Sequence, residues 1–199
     1  MPTGDINMLR LKDKYIKEVL PVLKEKLGCK NDWAVPRITK VVVNSGFNSV
    51  TGGDKIQENL AHDLSLMTGQ KAMPCQVKKP EAIFKTRKGM VNGLKVTLRG
   101  QRMCDFLDRL IHIVLPRSRD FRGLPESTID QSGNLNIGIK EHIIFPEISD
   151  EHVKRIFGFQ VTVVSTAKTR KEGKILFKLL GFPIKFGEKT PPSGVKIYG

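Results

Sequence analysis

Over residues 7–28 apolar positions recur at helical spacing, with Leu9, Ile16, Leu20, Leu23 and Leu27 on one stripe and Lys and Glu opposite. Gly28 supplies the stop, and Pro21 inside the stretch either bends or splits this helix. After the turn-like pair Asn31-Asp32, the β-branched run 38–43 predicts a strand ended by Asn44-Ser45-Gly46. Thr51-Gly52-Gly53-Asp54 then introduces a second amphipathic helix, with Ile56, Leu60, Leu64 and Met67 on one face and Gly69 closing it. Residues 78–89 read as a long, basic hairpin loop, and 94–98 alternate as a strand. Met103, Phe106, Leu107, Leu110, Ile111 and Val114 define a strong third helix, stopped by Pro116. A loop over 117–133 leads to strands near 135–139 and 160–164, and a last helix runs from near Thr169 to Gly181. Strands and helices alternate without regular β-α-β spacing. The expectation is therefore α+β, with helices on one face of a mainly antiparallel sheet.

Charge changes this picture from a fold to a partner. The 199 residues carry 34 Lys and Arg against 20 Asp and Glu, a net +14. Residues 70–102 hold nine basic side chains against Glu81 alone, and 168–199 hold eight against Glu172 and Glu188. These two segments account for the whole surplus, while the intervening ones are near neutral. Two separate cationic runs favour a nucleic-acid footprint over a merely solvated face.

Other chemistry is sparse. Thr51-Gly52-Gly53-Asp54 lacks both common phosphate-loop patterns, and Asp54 would repel an anion. His62, His112, His142 and His152 stand without metal-ligand spacing, and Cys29, Cys75 and Cys104 form no C-x-x-C pair. No cofactor, metal site or catalytic group is expected. Residues 1–10 contain no apolar signal-peptide core, and no run reaches the ~18 apolar residues of a membrane helix, so no membrane partner is expected. Phe84 among lysines and Phe121 between Arg119 and Arg122 can stack on unpaired bases, or Phe84 can anchor its loop to the sheet.

Five strings in order carry a family resemblance: Val35-Pro36-Arg37-Ile38 leading to Val43-Asn44; Thr68-Gly69-Gln70-Lys71; Lys95-Val96-Thr97-Leu98-Arg99-Gly100; Arg117-Ser118-Arg119-Asp120-Phe121-Arg122-Gly123; and Ile143-Ile144-Phe145-Pro146-Glu147-Ile148. Together they make the chain resemble the L-five family of large-subunit ribosomal proteins, in its bacterial form, over roughly 8–184. The resemblance implies a sheet related to RNA-recognition folds in one 5S rRNA-binding domain, 1–184. From Lys185 onward, Pro191-Pro192-Ser193-Gly194 marks a basic tail, 185–199, expected to order on contact. It implies a place in the central protuberance, with other 5S-particle ribosomal proteins as neighbours. Asn44, Gln70, Thr97 and Arg99 correspond to 5S rRNA contacts. Lys78, Lys79, Lys85, Arg87 and Lys88 correspond to a loop approaching P-site tRNA and large-subunit rRNA. Arg117, Arg119 and Arg122 are candidates for the bridge to the small-subunit head protein S-thirteen. Departures are His142 where Gln is usual, Leu135 where an aromatic is common, and a longer tail.

From the residues alone, Asn44 reads as a turn former, Gln70 as a helix C-terminal cap and Thr97 as a β-former. Two other functions stay open beside the ribosomal one. A free-standing RNA-binding regulator or chaperone would use the same basic loop, whereas an RNA-processing enzyme would need a nucleophile or metal cluster that the sequence does not display.

Overall fold

The structure, a computed structural model, describes residues 11–47, 49–83, 86–119, 121–148 and 156–185, with backbone alone for 49–55. Residues 7–10, Phe84, Lys85, Asp120, His152 and the tail beyond Lys185 lie outside the described residues.

Five strands form: β1 (Ile38–Gly46), β2 (Met73–Gln76), β3 (Val91–Leu98), β4 (Leu135–Ile139) and β5 (Phe159–Ser165), with buried and less buried positions alternating most clearly in β1, β4 and β5. They pair in the order β2-β3-β1-β5-β4, every neighbour antiparallel. Val41 and Val43 of β1, Leu94, Val96 and Leu98 of β3, Ile137 of β4, and Val161 and Val163 of β5 turn inward. They share one buried cluster with Leu23, Leu64, Phe106, Leu107, Leu110, Leu176 and Phe177 from the helices. Each such side chain contributes about 1.5–3 kcal/mol when fully buried, so this single apolar face fixes the sheet's register. The α+β expectation holds.

Both prolines inside helices have the same structural solution. The first helix, α1, runs as Leu11–Lys14, a wider π turn Tyr15–Val19, then Leu20–Leu27, with Pro21 just past the turn. The N–H of Leu20 donates to Tyr15 O, five residues back. Proline lacks an N–H and its ring crowds the carbonyl four residues earlier, and an expanded turn accommodates both demands. The third helix, α3, repeats this as Gly100–Arg109, a π turn Leu110–Val114, and Leu115–Arg117. Pro116 therefore does not stop α3, which carries on to Arg117.

The second helix, α2 (Ser49–Thr68), starts earlier than its glycines suggest, so Gly52 and Gly53 lie inside its first turns. The fourth, α4 (Arg170–Leu180), matches its sequence signals: the Thr169 hydroxyl accepts from Glu172 N–H, and Gly181 ends it at a φ of 98°. Strand β1 also differs from expectation. It continues through Asn44 and Ser45 to Gly46, because Val43, Asn44 and Ser45 keep partners on both β3 and β5 or on β3 alone. Asn44 is thus a strand residue, not a turn residue.

Candidate nucleic-acid interface

The sheet's other face is polar. On β1 the burial alternates so that Asn44 is exposed between buried Val43 and Ser45. Register places Asn44 opposite Lys95 of β3 on one side and Gln160 of β5 on the other, both exposed. Thr97 lies two residues along β3 from Lys95, on the same face and half-buried. The Asn44 amide has no hydrogen-bond partner among the described residues, so its donors and acceptor are available to an incoming group.

Gln70 reaches this face from the end of α2. Gly69, at a φ of 67°, turns the chain, and Gln70 Nε2 then donates to Thr97 O over 3.4 Å. Gln70 therefore bridges α2 to β3 rather than capping the helix; Thr68 Oγ1 serves the helix end instead, donating to Leu64 O at 2.6 Å. The structure brings Asn44, Gln70 and Thr97 together around β1 and β3. Arg99 follows directly as the exposed, extended residue preceding α3.

Sequence reasoning missed the neighbours on this face. Thr162 Oγ1 donates to Asn136 Oδ1 at 2.9 Å, and Gln160 Nε2 donates to the same oxygen at 3.4 Å. The Asn136 NH₂ group has no hydrogen-bond partner among the described residues. Period-two polarity in β5 could have identified Gln160 and Thr162.

The other two candidate sets are held apart from this one. The loop after β2 continues the pairing as a hairpin: Val77 N–H donates to Met90 O (2.8 Å), Gly89 N–H to Val77 O (3.0 Å), and Thr86 N–H to Glu81 O (3.2 Å). It leaves the sheet beyond the Gly46–Gly93 pair, presenting Lys78, Lys79, Arg87 and Lys88 to solvent. The arginine segment lies at the far edge. Arg119 and Arg122 rim a cavity floored by Phe121, Ile137, Gly138 and Ile144 beside β4, and Arg117 is exposed at the end of α3.

Charge accompanies this geometry. Lys71, Lys78, Lys79, Arg87, Lys88, Lys95, Arg99 and Arg102 are all exposed, and none joins an ion pair among the described residues. By contrast, Arg109 is engaged internally, bound to Glu147 and donating to Met67 O at 3.2 Å. Among the described residues no group of three His, Cys, Asp or Glu could hold a metal, and no helix is long and apolar enough to cross a membrane. The three cysteines are free and half-buried; burial pushes the Cys104 thiol pKa up, and nearby Asp105 reinforces this, which disfavours a reactive thiolate.

A sheet sealed by helices on one face, with amides, hydroxyls and unpaired cations on the other, defines a protein built to lie against a polyanion. Comparison with known families makes the class specific. Residues 31–87 match the family described as Ribosomal protein L5, and 91–184 match the C-terminus of the same ribosomal family. Similar proteins include large ribosomal subunit protein uL5 of Dictyoglomus turgidum, 48% identical over 175 residues, 88% of this chain and 98% of that one. The uL5 proteins of Desulforamulus reducens (46%; 88% and 97% covered) and Desulfotalea psychrophila (45%; 89% and 99% covered) are comparably alike. The chain belongs to the ribosomal L5 family, a structural, non-enzymatic constituent of the large ribosomal subunit in the cytoplasm.

Proposed function

We propose that this chain binds 5S rRNA through the open sheet face and anchors it in the central protuberance, with Asn44, Gln70, Thr97 and Arg99 as contacts. The carrying observation is the row Lys95–Asn44–Gln160, in which an unengaged amide is flanked by a cation and a second amide, all three exposed, on a face that no helix among the described residues covers. Amides and hydroxyls at fixed strand positions suit riboses and base edges, while the surrounding cations suit phosphates. In the same reading, the hairpin carrying Lys78, Lys79, Lys85, Arg87 and Lys88 meets large-subunit rRNA and P-site tRNA. Arg117, Arg119 and Arg122 face the small-subunit head protein S-thirteen, and other 5S-particle proteins adjoin. Residues 1–184 act as one domain, with 185–199 as a basic arm.

The test is 5S rRNA affinity of single Ala variants at Asn44, Gln70 and Thr97. Each weakens binding by ~1 kcal/mol or more, while thermal stability hardly changes at Asn44 and Thr97 and falls slightly at Gln70, whose bond to Thr97 O is long. Parallel losses of affinity and stability at all three would reduce them to structural residues.

A further inference from the structure

Trp33 is the chain's one tryptophan, and it is 77% exposed. It sits in a short 3₁₀ turn, Asp32–Ala34, between α1 and β1. Its mounting is firm. The Asn31 Oδ1 accepts from Trp33 N–H at 3.0 Å, Lys24 and Asp32 pair at 2.6 Å, and Val35 and Pro36 behind the turn are buried. Arg37 places its guanidinium carbon 5.2 Å from the indole centroid. The Arg37 backbone is clamped in turn: its N–H donates to Thr166 Oγ1 at 3.0 Å and its carbonyl accepts from Thr166 N–H at 2.9 Å. Arg37 has no carboxylate partner among the described residues, so its charge is not neutralised within the fold.

A large apolar ring left mostly in water on a backbone-clamped turn is not explained by packing. The guanidinium beside it selects the partner's chemistry. An unpaired nucleotide offers both halves of what the pair needs: a π-face to stack on the indole and a phosphate for the arginine. A protein surface would have to bring a carboxylate to Arg37, whereas the chain's +14 charge already draws it to polyphosphate.

We propose that Trp33 and Arg37 form a second rRNA contact, a stacking platform for an unpaired base, at the end of β1 opposite the basic hairpin. It rests on the rRNA-binding reading above but not on the residues assigned there. Because Trp33 is the sole indole, its emission reports the contact directly. Purified protein is titrated separately with 5S rRNA and with deproteinised large-subunit rRNA, following indole emission for the natural chain and measuring affinity by filter binding for the natural chain, Trp33→Phe and Trp33→Ala. One of the two RNAs quenches the natural protein by half or more. Trp33→Ala binds that RNA about tenfold more weakly with an unchanged melting temperature, and Trp33→Phe recovers most of the affinity. Unchanged affinity of Trp33→Ala for both RNAs overturns the platform, whatever the emission does. A change in emission only on adding other large-subunit proteins overturns it in favour of a protein contact. If the platform fails while the Asn44 and Thr97 variants lose 5S binding, the sheet-face reading stands; if neither RNA binds the natural chain, both fall.

Discussion

His142 is wholly buried, and its two ring nitrogens are served unequally. Nδ1 accepts from Phe157 N–H at 3.3 Å, so the neutral ring carries its proton on Nε2. Nε2 faces Asp63 Oδ2 at 3.6 Å, too far for a good hydrogen bond, and the ring stacks on Phe157 with centroids 3.9 Å apart. Burial pushes the imidazole pKa below 6.5, outweighing the upward pull of Asp63. With the folded value lower than the unfolded one, the unfolded chain binds more protons as pH falls below about 6.5. His142 therefore favours folding fully above that pH and progressively less below it, by at most about 1.4 kcal/mol per pH unit until the folded value is reached. His142→Gln removes this titration. Urea denaturation at pH 7.5 and 5.5 is expected to show a smaller loss of stability for the variant than for the natural chain. An equal loss would mean that His142 is as easily protonated folded as unfolded.

At the scale of elements, glycine placement decides how closely α4 approaches the rest of the fold. A Cβ at Gly173 would lie 2.7 Å from both Cα and O of Gly133, in the turn before β4. Gly→Ala in a helix ordinarily gains about 1 kcal/mol, but backbone overlap of this kind costs about 1–3 kcal/mol or more, so the sign reverses. Gly173→Ala is expected to lose about 1–2 kcal/mol in denaturant melts; a gain would show that the 130–134 turn yields freely. The same packing shows which elements periodicity can reveal. The inward stripes of α2, α3 and α4 and the alternation of β3, β4 and β5 were legible because each buries one face. Strand β2 was not, since it is four residues long and contains Pro74, a residue suited to the edge position the strand occupies. Continuation past Pro116 was hidden because the proline reads as a stop, whereas the stripe through Leu23 and Leu27 already carried the first helix past Pro21; what neither stripe could show is the π turn, which changes only the hydrogen bonds beneath it. At the interface, the residue types of Asn44, Gln70 and Thr97 alone suggested turn, cap and strand, and their grouping came from the family resemblance. Trp33 was missed because a single aromatic in a loop belongs to no period.

Across the whole molecule, sheet order separates charge that composition alone lumps together. The strand order β2-β3-β1-β5-β4 sets the hairpin at the β2–β3 end and the arginine-rimmed cavity beside β4, with the polar face between. Lys88 is seven residues from Lys95, a span of at most about 23 Å at about 3.3 Å per extended residue, of which the four β3 steps from Val91 to Lys95 make up about 13 Å. Both lengths exceed the Debye length of about 8 Å at physiological ionic strength, so the hairpin's charges are largely screened from RNA on the sheet face. Counterion release turns this separation into a measurable difference. If 5S rRNA binding neutralises ~5 phosphates, log affinity falls with log salt at a slope of about −3 to −5, and each lost phosphate contact lowers that slope by about 1. Replacing Lys79, Arg87 and Lys88 together by Gln is expected to leave 5S affinity within about threefold and its salt slope unchanged. The same variant, assembled into ribosomes, is expected to release P-site tRNA faster, because a cationic hairpin reaching beyond the sheet can follow a phosphate backbone that the sheet face cannot reach. A salt slope reduced by two or three with normal tRNA retention would place the hairpin on 5S rRNA instead, and would merge two surfaces that the sheet topology keeps apart.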